Sequence, residues 1–210
     1  MLNCSRQSGK STVTSLLALH TAIYRPGSLI LCLSPTLRQS SELFRTVARF
    51  YHMSTAEMVP AEAESALRLE LENRSRIISL PGKEQTIRGF SSASLLLIDE
   101  AARVPDELYY SVRPMLAVSK GRLVLLSTPF GKRGFFYDIW TSGEGWEKIM
   151  ITADDCPRIS KDFLREEERS MPRAWFMQEY YCQFVDTEDQ VFSSDEIEAM
   201  FDDSTPHIEI

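Results

Sequence analysis

The chain has 210 residues, 43% of them apolar and 25% charged, with a formal net charge of −7. That length buries one good core and a small second subdomain. No apolar run reaches membrane-spanning length and no charged region leads into an apolar stretch, which speaks against a membrane span and a secretory leader.

The chain opens on Met1-Leu2-Asn3, all that is left of an expected first strand, and then on Cys4-Ser5-Arg6-Gln7-Ser8-Gly9-Lys10-Ser11-Thr12. This second stretch reads as a phosphate-binding loop. A Gly-Lys-Ser turn opening a helix aims backbone N–H groups and one ammonium at a polyphosphate, and the Ser11 hydroxyl is placed to hold Mg²⁺. The helix follows from Val13 to Tyr24, with Leu16, Leu17, Leu19, Ala22 and Ile23 at helical spacing. The usual pattern has Gly where this chain has Cys4, and a bare Gly-Lys-Ser-Thr also occurs in surface turns. A carboxylate motif further along therefore has to decide between the two readings.

Ser28 to Thr36 reads as a strand buried on both faces. A helix from about Gln39 to Phe50 follows, with Leu43, Phe44, Val47 and Phe50 on one side. Leu67 to Leu71 alternates, residues 72–75 turn, and Arg76 to Leu80 runs back, which is a β-hairpin signal closed by Pro81-Gly82. Leu95-Leu96-Leu97-Ile98 is another buried strand, and it ends in Asp99-Glu100. Asp99 fits the carboxylate that holds the Mg²⁺ water shell, and Glu100 the one that orients an attacking water. An Asp-Glu pair also suits the start of a following helix by complementing its dipole. Leu123 to Leu126 is a further strand, ending in Ser127-Thr128-Pro129. A polar strand end at that place can sense a terminal phosphate and pass hydrolysis on to a moving part; it is equally a strand stopped by Pro.

Trp146 to Ile151 reads as the last core strand, and Ser160 to Arg169 as a short helix whose Glu166-Glu167-Glu168 run is a solvated face. Pro172 opens a second helix whose aromatics (Trp175, Phe176, Tyr180, Tyr181) read as the core of a compact two-helix lid. Glu196 to Phe201 reads as a last helix capped by Ser193 or Ser194. Alternating strands and helices make the fold α/β: a mostly parallel sheet flanked by helices, with a nucleotide at the strands' C-terminal ends. Residues 1–150 are the expected ATPase core and 151–210 the lid or linker. Cys4, Cys32, Cys156 and Cys182 are scattered, with no Cys-x-x-Cys pair, and His20, His52 and His207 are equally dispersed. No disulfide framework or zinc site is suggested, and a reducing cytoplasmic compartment is expected.

In their order and spacing these pieces resemble one family, the ATPase domain of the terminase large subunit, which packages DNA in tailed double-stranded DNA phages. Ser5 to Ser11 looks like its variant phosphate loop, and Ser34-Pro35-Thr36-Leu37-Arg38-Gln39 like the segment after its second strand. Ile87-Arg88-Gly89, Asp99-Glu100-Ala101, Ser127-Thr128-Pro129 and Gln178 to Phe184 look like further elements in sequence. The resemblance implies that Ser5 to Thr12 bind ATP, with Lys10 on phosphate and Ser11 and Asp99 on Mg²⁺. Glu100 would activate water, Arg6 would contact phosphate within its own subunit, and Arg88 would be an arginine finger offered to a neighbour. Ser127, Thr128 and Pro129 would couple hydrolysis to movement. The implied partners are double-stranded DNA, a portal protein, a small terminase subunit and other copies in a ring. The implied place is the cytoplasm of an infected or lysogenic bacterial host, transiently at the procapsid portal.

Two departures stand out. The family's adenine-contacting segment has no match before the loop, and the chain stops before a ribonuclease-H-like nuclease. An isolated ATPase domain is therefore expected, as a gene fragment, a split-gene product or an excised domain. Residues 1–150 carry 18 Lys+Arg against 14 Asp+Glu, a net of +4, whereas residues 151–210 carry 5 against 16, a net of −11. No large basic patch supports strong autonomous DNA binding; Lys132 and Arg133 are weak candidates for phosphate contacts. The reading is an ATP-driven DNA translocase of the terminase type. The alternatives are a helicase-like ATPase and a non-catalytic prophage remnant that binds or scaffolds.

Overall fold

The structure, a computed structural model, describes residues 1–53, 59–82, 87, 89–186 and 200. Among them eight strands form one sheet: β1 (Leu2–Cys4), β2 (Leu29–Ser34), β3 (Ala61–Ser65), β4 (Arg68–Leu71), β5 (Arg76–Pro81), β6 (Leu95–Asp99), β7 (Arg122–Ser127) and β8 (Ile149–Ile151). They lie in the order β3-β4-β5-β2-β6-β7-β1-β8. The ladders from β5 through to β8 are parallel, and the β3-β4-β5 end is antiparallel. The helices are α1 (Lys10–Tyr24), α2 (Leu37–Met53), α3 (Asp106–Val112), α4 (Gly134–Ser142), α5 (Lys161–Ser170) and α6 (Arg173–Tyr181). This is the expected α/β architecture with a mostly parallel sheet.

The continuous apolar runs form strands because both of their faces are covered. Every residue of β2 and of β6 is buried. Alternation then sorts their side chains between two cores. Ile30, Cys32, Leu95 and Leu97 pack with Ala18, Leu19 and Ala22 of α1 and Leu43, Phe44 and Val47 of α2. Leu31, Leu33, Leu96 and Ile98 pack on the other side with Tyr109 and Val112 of α3 and Phe135 and Phe136 of α4. The sheet is thus the middle of three layers.

The short first strand lies inside the sheet, one strand in from the β8 edge. Leu2–Cys4 lies between β7 and β8, pairing Asn3 with Ser127 on one side and with Met150 on the other. Its N-terminal ammonium donates to the Glu147 carbonyl at 2.6 Å.

Several elements differ from the sequence reading, among them α3 and α4, which it did not contain. The β3 strand was not foreseen: Ala-Glu-Ala-Glu-Ser has no large apolar residue and all five positions are exposed, so backbone pairing with β4 alone makes it a strand. The last core strand begins at Ile149 rather than Trp146. The second helix starts at Leu37, where Thr36 Oγ1 accepts from the Gln39 N–H at 3.3 Å as an N-terminal cap. Apart from Met200, the expected helix over 196–201 lies outside the described residues.

Residues 153–181 build a small core of their own from Ala153, Leu164, Phe176 and Tyr180. Ser160 caps α5 by accepting from the Phe163 N–H at 3.2 Å, and the Tyr180 hydroxyl donates to Glu167 at 2.8 Å. Phe176 and Tyr180 are core, as read from the sequence, whereas Trp175 is half exposed.

Gly121, just before β7, has no room for a side chain: a Cβ there would overlap the Ala93 carbonyl oxygen and press on Leu116. Gly121→Ala should lower stability by about 1–3 kcal/mol, the usual range for overpacking against rigid neighbours. Urea denaturation checks this, and an unchanged midpoint would show that the Ala93 backbone yields freely.

Candidate nucleotide-binding site

Strand β1 delivers the chain into the loop 5–9, and α1 starts at Lys10. The loop turns back through two left-handed residues, Gln7 (φ 55°) and Gly9 (φ 92°). At Gly9 the requirement is double, because a Cβ would also come within 3.1 Å of the Arg158 guanidinium. No side chain caps the N-terminus of α1. Its first N–H groups, at the positive end of the helix dipole, therefore face the loop without an internal acceptor.

Lys10 is held by three neutral oxygens. Its Nζ donates to the carbonyls of Cys4 (3.2 Å) and Ser5 (3.0 Å) and to Thr128 Oγ1 (3.2 Å). The ammonium thus lies over the ends of β1 and β7, beside the mouth of a cavity of about 410 Å³ lined by Arg6 through Thr12, Glu100 and Arg158. Ser8 Oγ is buried there with no hydrogen-bond partner. Ser5 is buried, and its N–H is taken by the Ile151 carbonyl at 2.8 Å; it shapes the loop without lining the cavity. A second cavity of about 750 Å³ opens toward the start of α2, past Thr36 and Gln39. Ser11 and Glu100 line both cavities, and Asp99 lines the second, so the two meet where the carboxylate motif faces the helix start.

Asp99 ends β6 and is only 6% exposed. Burial pushes its carboxyl up to about 6, with the neighbouring Glu100 charge adding to the rise. The Glu100 N–H that it accepts at 3.0 Å, Lys10 and Ser11 pull it part of the way back. Glu100 sits in the left-handed region (φ 51°, ψ 41°), strained for a residue with a side chain. Its Oε2 lies 3.1 Å from Arg103. Beyond it, Ser127 Oγ accepts from the Ala102 N–H at 3.1 Å and donates to the Thr128 carbonyl at 2.6 Å. The sequence-predicted Lys10, Ser11, Asp99, Glu100, Ser127 and Thr128 therefore converge on one rim, with the buried Pro129 just behind.

Other expected residues are placed differently. Arg6 is exposed and reaches Glu179 of α6, Nε to Oε2 at 3.1 Å. The contact is an ion pair without hydrogen-bond alignment, since Glu179 Oε2 has no hydrogen-bond donor. Lys132 is half-buried and 3.5 Å from Asp186, so it is engaged inside the chain, while Arg133 is exposed near the Phe130 ring. Arg88 lies outside the described residues. Three site residues escaped the sequence reading: Arg103, Glu179 and Arg158, whose Nη2 donates to the Gln7 carbonyl at 3.4 Å. Only Arg103, three residues after Glu100, carried a local signal.

The donor set suits Mg²⁺. Among the described residues no group of three His, Cys, Asp or Glu is placed to hold a metal. One hydroxyl and one buried carboxylate beside a phosphate-sized cavity are what Mg²⁺ needs, because it keeps several waters and shares substrate phosphates.

A family model described as terminase large subunit, T4likevirus-type, N-terminal, matches residues 1–199. The chain belongs to this terminase family. Among named relatives, the terminase large subunit of Thermus virus P23-45 is 28% identical over 226 residues, covering 90% of this chain and 46% of the relative. That of Escherichia phage T5 is 24% identical over 200 residues, covering 90% and 44%. The terminase chain thus spans about half the length of these curated relatives. Its fold matches the large terminase ATPase domain of Thermus phage P74-26 with a TM-score of 0.73 at 23% identity, covering 88% of each chain. It also matches the large terminase of a thermophilic bacteriophage in complex with ATP-gamma-S, with a TM-score of 0.70 at 15% identity, covering 88% of this chain and 47% of that one.

The raised Asp99 carboxyl makes a stability prediction with a definite sign. The fold favours its protonated form, and that contribution is lost as pH rises from the unfolded value of 3.8 through about 6. At neutral pH the charged group costs on the order of 1–3 kcal/mol. Without nucleotide or metal, Asp99→Asn should melt higher than the parent near pH 7.5, and the gain should shrink toward pH 4.5. An Asn variant that melts lower near pH 7.5 would contradict the buried charge as the source of that cost.

Proposed function

We propose that the chain is the ATP-hydrolysing motor domain of a terminase large subunit, driving double-stranded DNA into a procapsid. The observation that carries this is the convergence of Lys10, Ser11, Asp99 and Glu100 on one cleft whose floor is an uncapped helix N-terminus. The N–H groups of the loop and α1, with the Lys10 ammonium, bind the β- and γ-phosphates. Ser11 and Asp99 would hold Mg²⁺, which supplies charge neutralisation at the phosphates. Glu100, facing both cavities, orients the attacking water and takes its proton. Arg6 contacts phosphate from within the subunit, and Arg88 serves as the finger for a neighbour in a ring.

Movement follows from what the phosphate contacts touch. Lys10 is bonded to Thr128, and Ser127 holds the turn after Glu100, so a change at the γ-phosphate reaches the end of β7 directly. We take residues 1–150 as the motor core and 151–210 as the lid and linker; the separate small core around Phe176 supports that division. Phe184 and Asp186 return to the core, against Tyr137 and Lys132. With Lys132 so engaged, Arg133 is the better of the two candidate DNA contacts. Portal protein and small terminase subunit complete the proposed assembly, in the host cytoplasm at the procapsid.

Steady-state ATPase assays with duplex DNA test the reading. Lys10→Ala should abolish turnover. Glu100→Gln should still bind ATP while kcat falls about 10²–10⁴-fold, the usual worth of a general base. A Glu100→Gln chain that hydrolyses ATP like the parent would remove Glu100 from the role of base. Arg88→Ala should be inactive alone, yet regain turnover when mixed with Glu100→Gln, because the second protein's Arg88 can complete the first protein's site. Mixed assemblies that stay inactive would assign Arg88 to structure.

A further inference from the structure

Two carboxylates compete for one guanidinium at this rim. Arg103 Nη1 lies 3.1 Å from Glu100 Oε2, and its Nη2 lies 3.7 Å from Glu179 Oε1. The guanidinium also stacks on the Phe130 ring, 4.6 Å from its centre. All three charged side chains are at least two-thirds buried. Phe130 and the two carboxylates thus all contact the one guanidinium. Glu100 and Arg103 are joined by a single turn of 3-10 helix, closed by the Arg103 N–H on the Glu100 carbonyl at 2.9 Å. Ser127 fixes the middle of that turn through Ala102.

We infer that Arg103 is the positioning residue for Glu100, fixing the direction of its carboxylate and linking it to Glu179 of the lid helix α6. The inference rests on the reading of Glu100 as the water-activating base. Arg103 engages Oε2 of Glu100, and Glu100 lines the cleft where an attacking water would be met. A base oriented by a third group through its second heteroatom is the general pattern of an activated site. Glu100 needs such a restraint: its strained backbone fixes where the side chain starts, but the rotatable bonds of a Glu still allow several directions. Arg suits the task because its planar fork can serve two carboxylates at once, which a Lys ammonium on a flexible stem does poorly. Because Glu179 belongs to α6, a shift of that helix changes how the guanidinium is shared, and with it the direction of Glu100.

The test is a double-mutant cycle on ATP turnover by the full chain with duplex DNA. Arg103→Gln should lower kcat by about 10- to 100-fold, the scale of a misplaced catalytic group, with KM for ATP nearly unchanged. Placed on Glu100→Gln, the same change should give almost no further loss, because residues that act as one unit are not additive. Arg103→Lys should fall between Arg103→Gln and the parent, and it carries the same cycle if the Gln variant does not fold. A parental kcat in Arg103→Gln overturns the inference, as does an equal fold-loss in the Glu100→Gln background, the mark of a purely structural residue. If Glu100→Gln itself turns over like the parent, or the parent has no ATPase activity, the functional reading fails and this inference with it. If Glu100→Gln loses turnover while Arg103→Gln keeps the parental kcat, only the inference about Arg103 fails.

Discussion

Three residues of backbone carry the phosphate loop. Leu2–Cys4 is too short to hold itself in place, yet Lys10 and the start of α1 are aimed by where Cys4 ends. The strand is fixed by what surrounds it. Parallel ladders hold both sides, the N-terminal ammonium is bonded to Glu147, and the Asn3 amide donates to the Cys182 carbonyl at 3.0 Å. The next two residues bond outward as well: the Ser5 N–H to Ile151, and the Arg6 N–H to the Glu179 carbonyl at 2.9 Å. Two of these anchors, Glu179 and Cys182, lie at the C-terminal end of α6. Loop geometry and lid position are therefore one variable, not two.

Stability and ligand readiness are opposed at the same rim. Asp99 is buried with a raised carboxyl, Ser8 Oγ and Glu179 Oε2 lack hydrogen bonds, and Glu100 holds a strained backbone. Each feature costs the free protein stability. The two parallel-strand cores absorb that cost, since β2 and β6 are buried over their whole length. Strain concentrated at strand ends over a well-packed sheet is the arrangement expected where a charged ligand completes the site.

What the sequence made legible followed from strong local signals. Apolar runs gave β2 and β6 because burial on both faces leaves no polar alternation to read, and a like run gave β7, which is fully buried only over Leu125–Ser127. The loop and the Asp99-Glu100 pair were legible because phosphate and Mg²⁺ chemistry needs particular residue types at strand ends. Strand β3 was not, because its five exposed residues carry no apolar period and its pairing is dictated by β4. Glu179 was missed for a different reason. It lies far along the chain from Arg6 and Arg103, and a charge in an aromatic-rich helix reads as a solvated position until the fold closes over it. Lys132 shows the same limit from the other side: its sequence neighbours give no sign of Asp186, which the fold brings within 3.5 Å.

The lid's construction bears on how it could move. Its core is four buried residues, small beside either face of the sheet. A unit with so little buried apolar contact sits at the low-stability end of a protein, where opening and shifting are least costly. Among the described residues its links to the rim include several polar ones: Glu179 to Arg6 and Arg103, Cys182 to Asn3 and Ile151, and Arg158 to Gln7. Polar links of this kind exchange partners without repacking a core. A phosphate entering beside Arg6 and Arg158 competes directly with Glu179 and with the Gln7 carbonyl for those guanidinium groups. On the proposed reading, that competition sits at the polar links between the phosphate loop and α6.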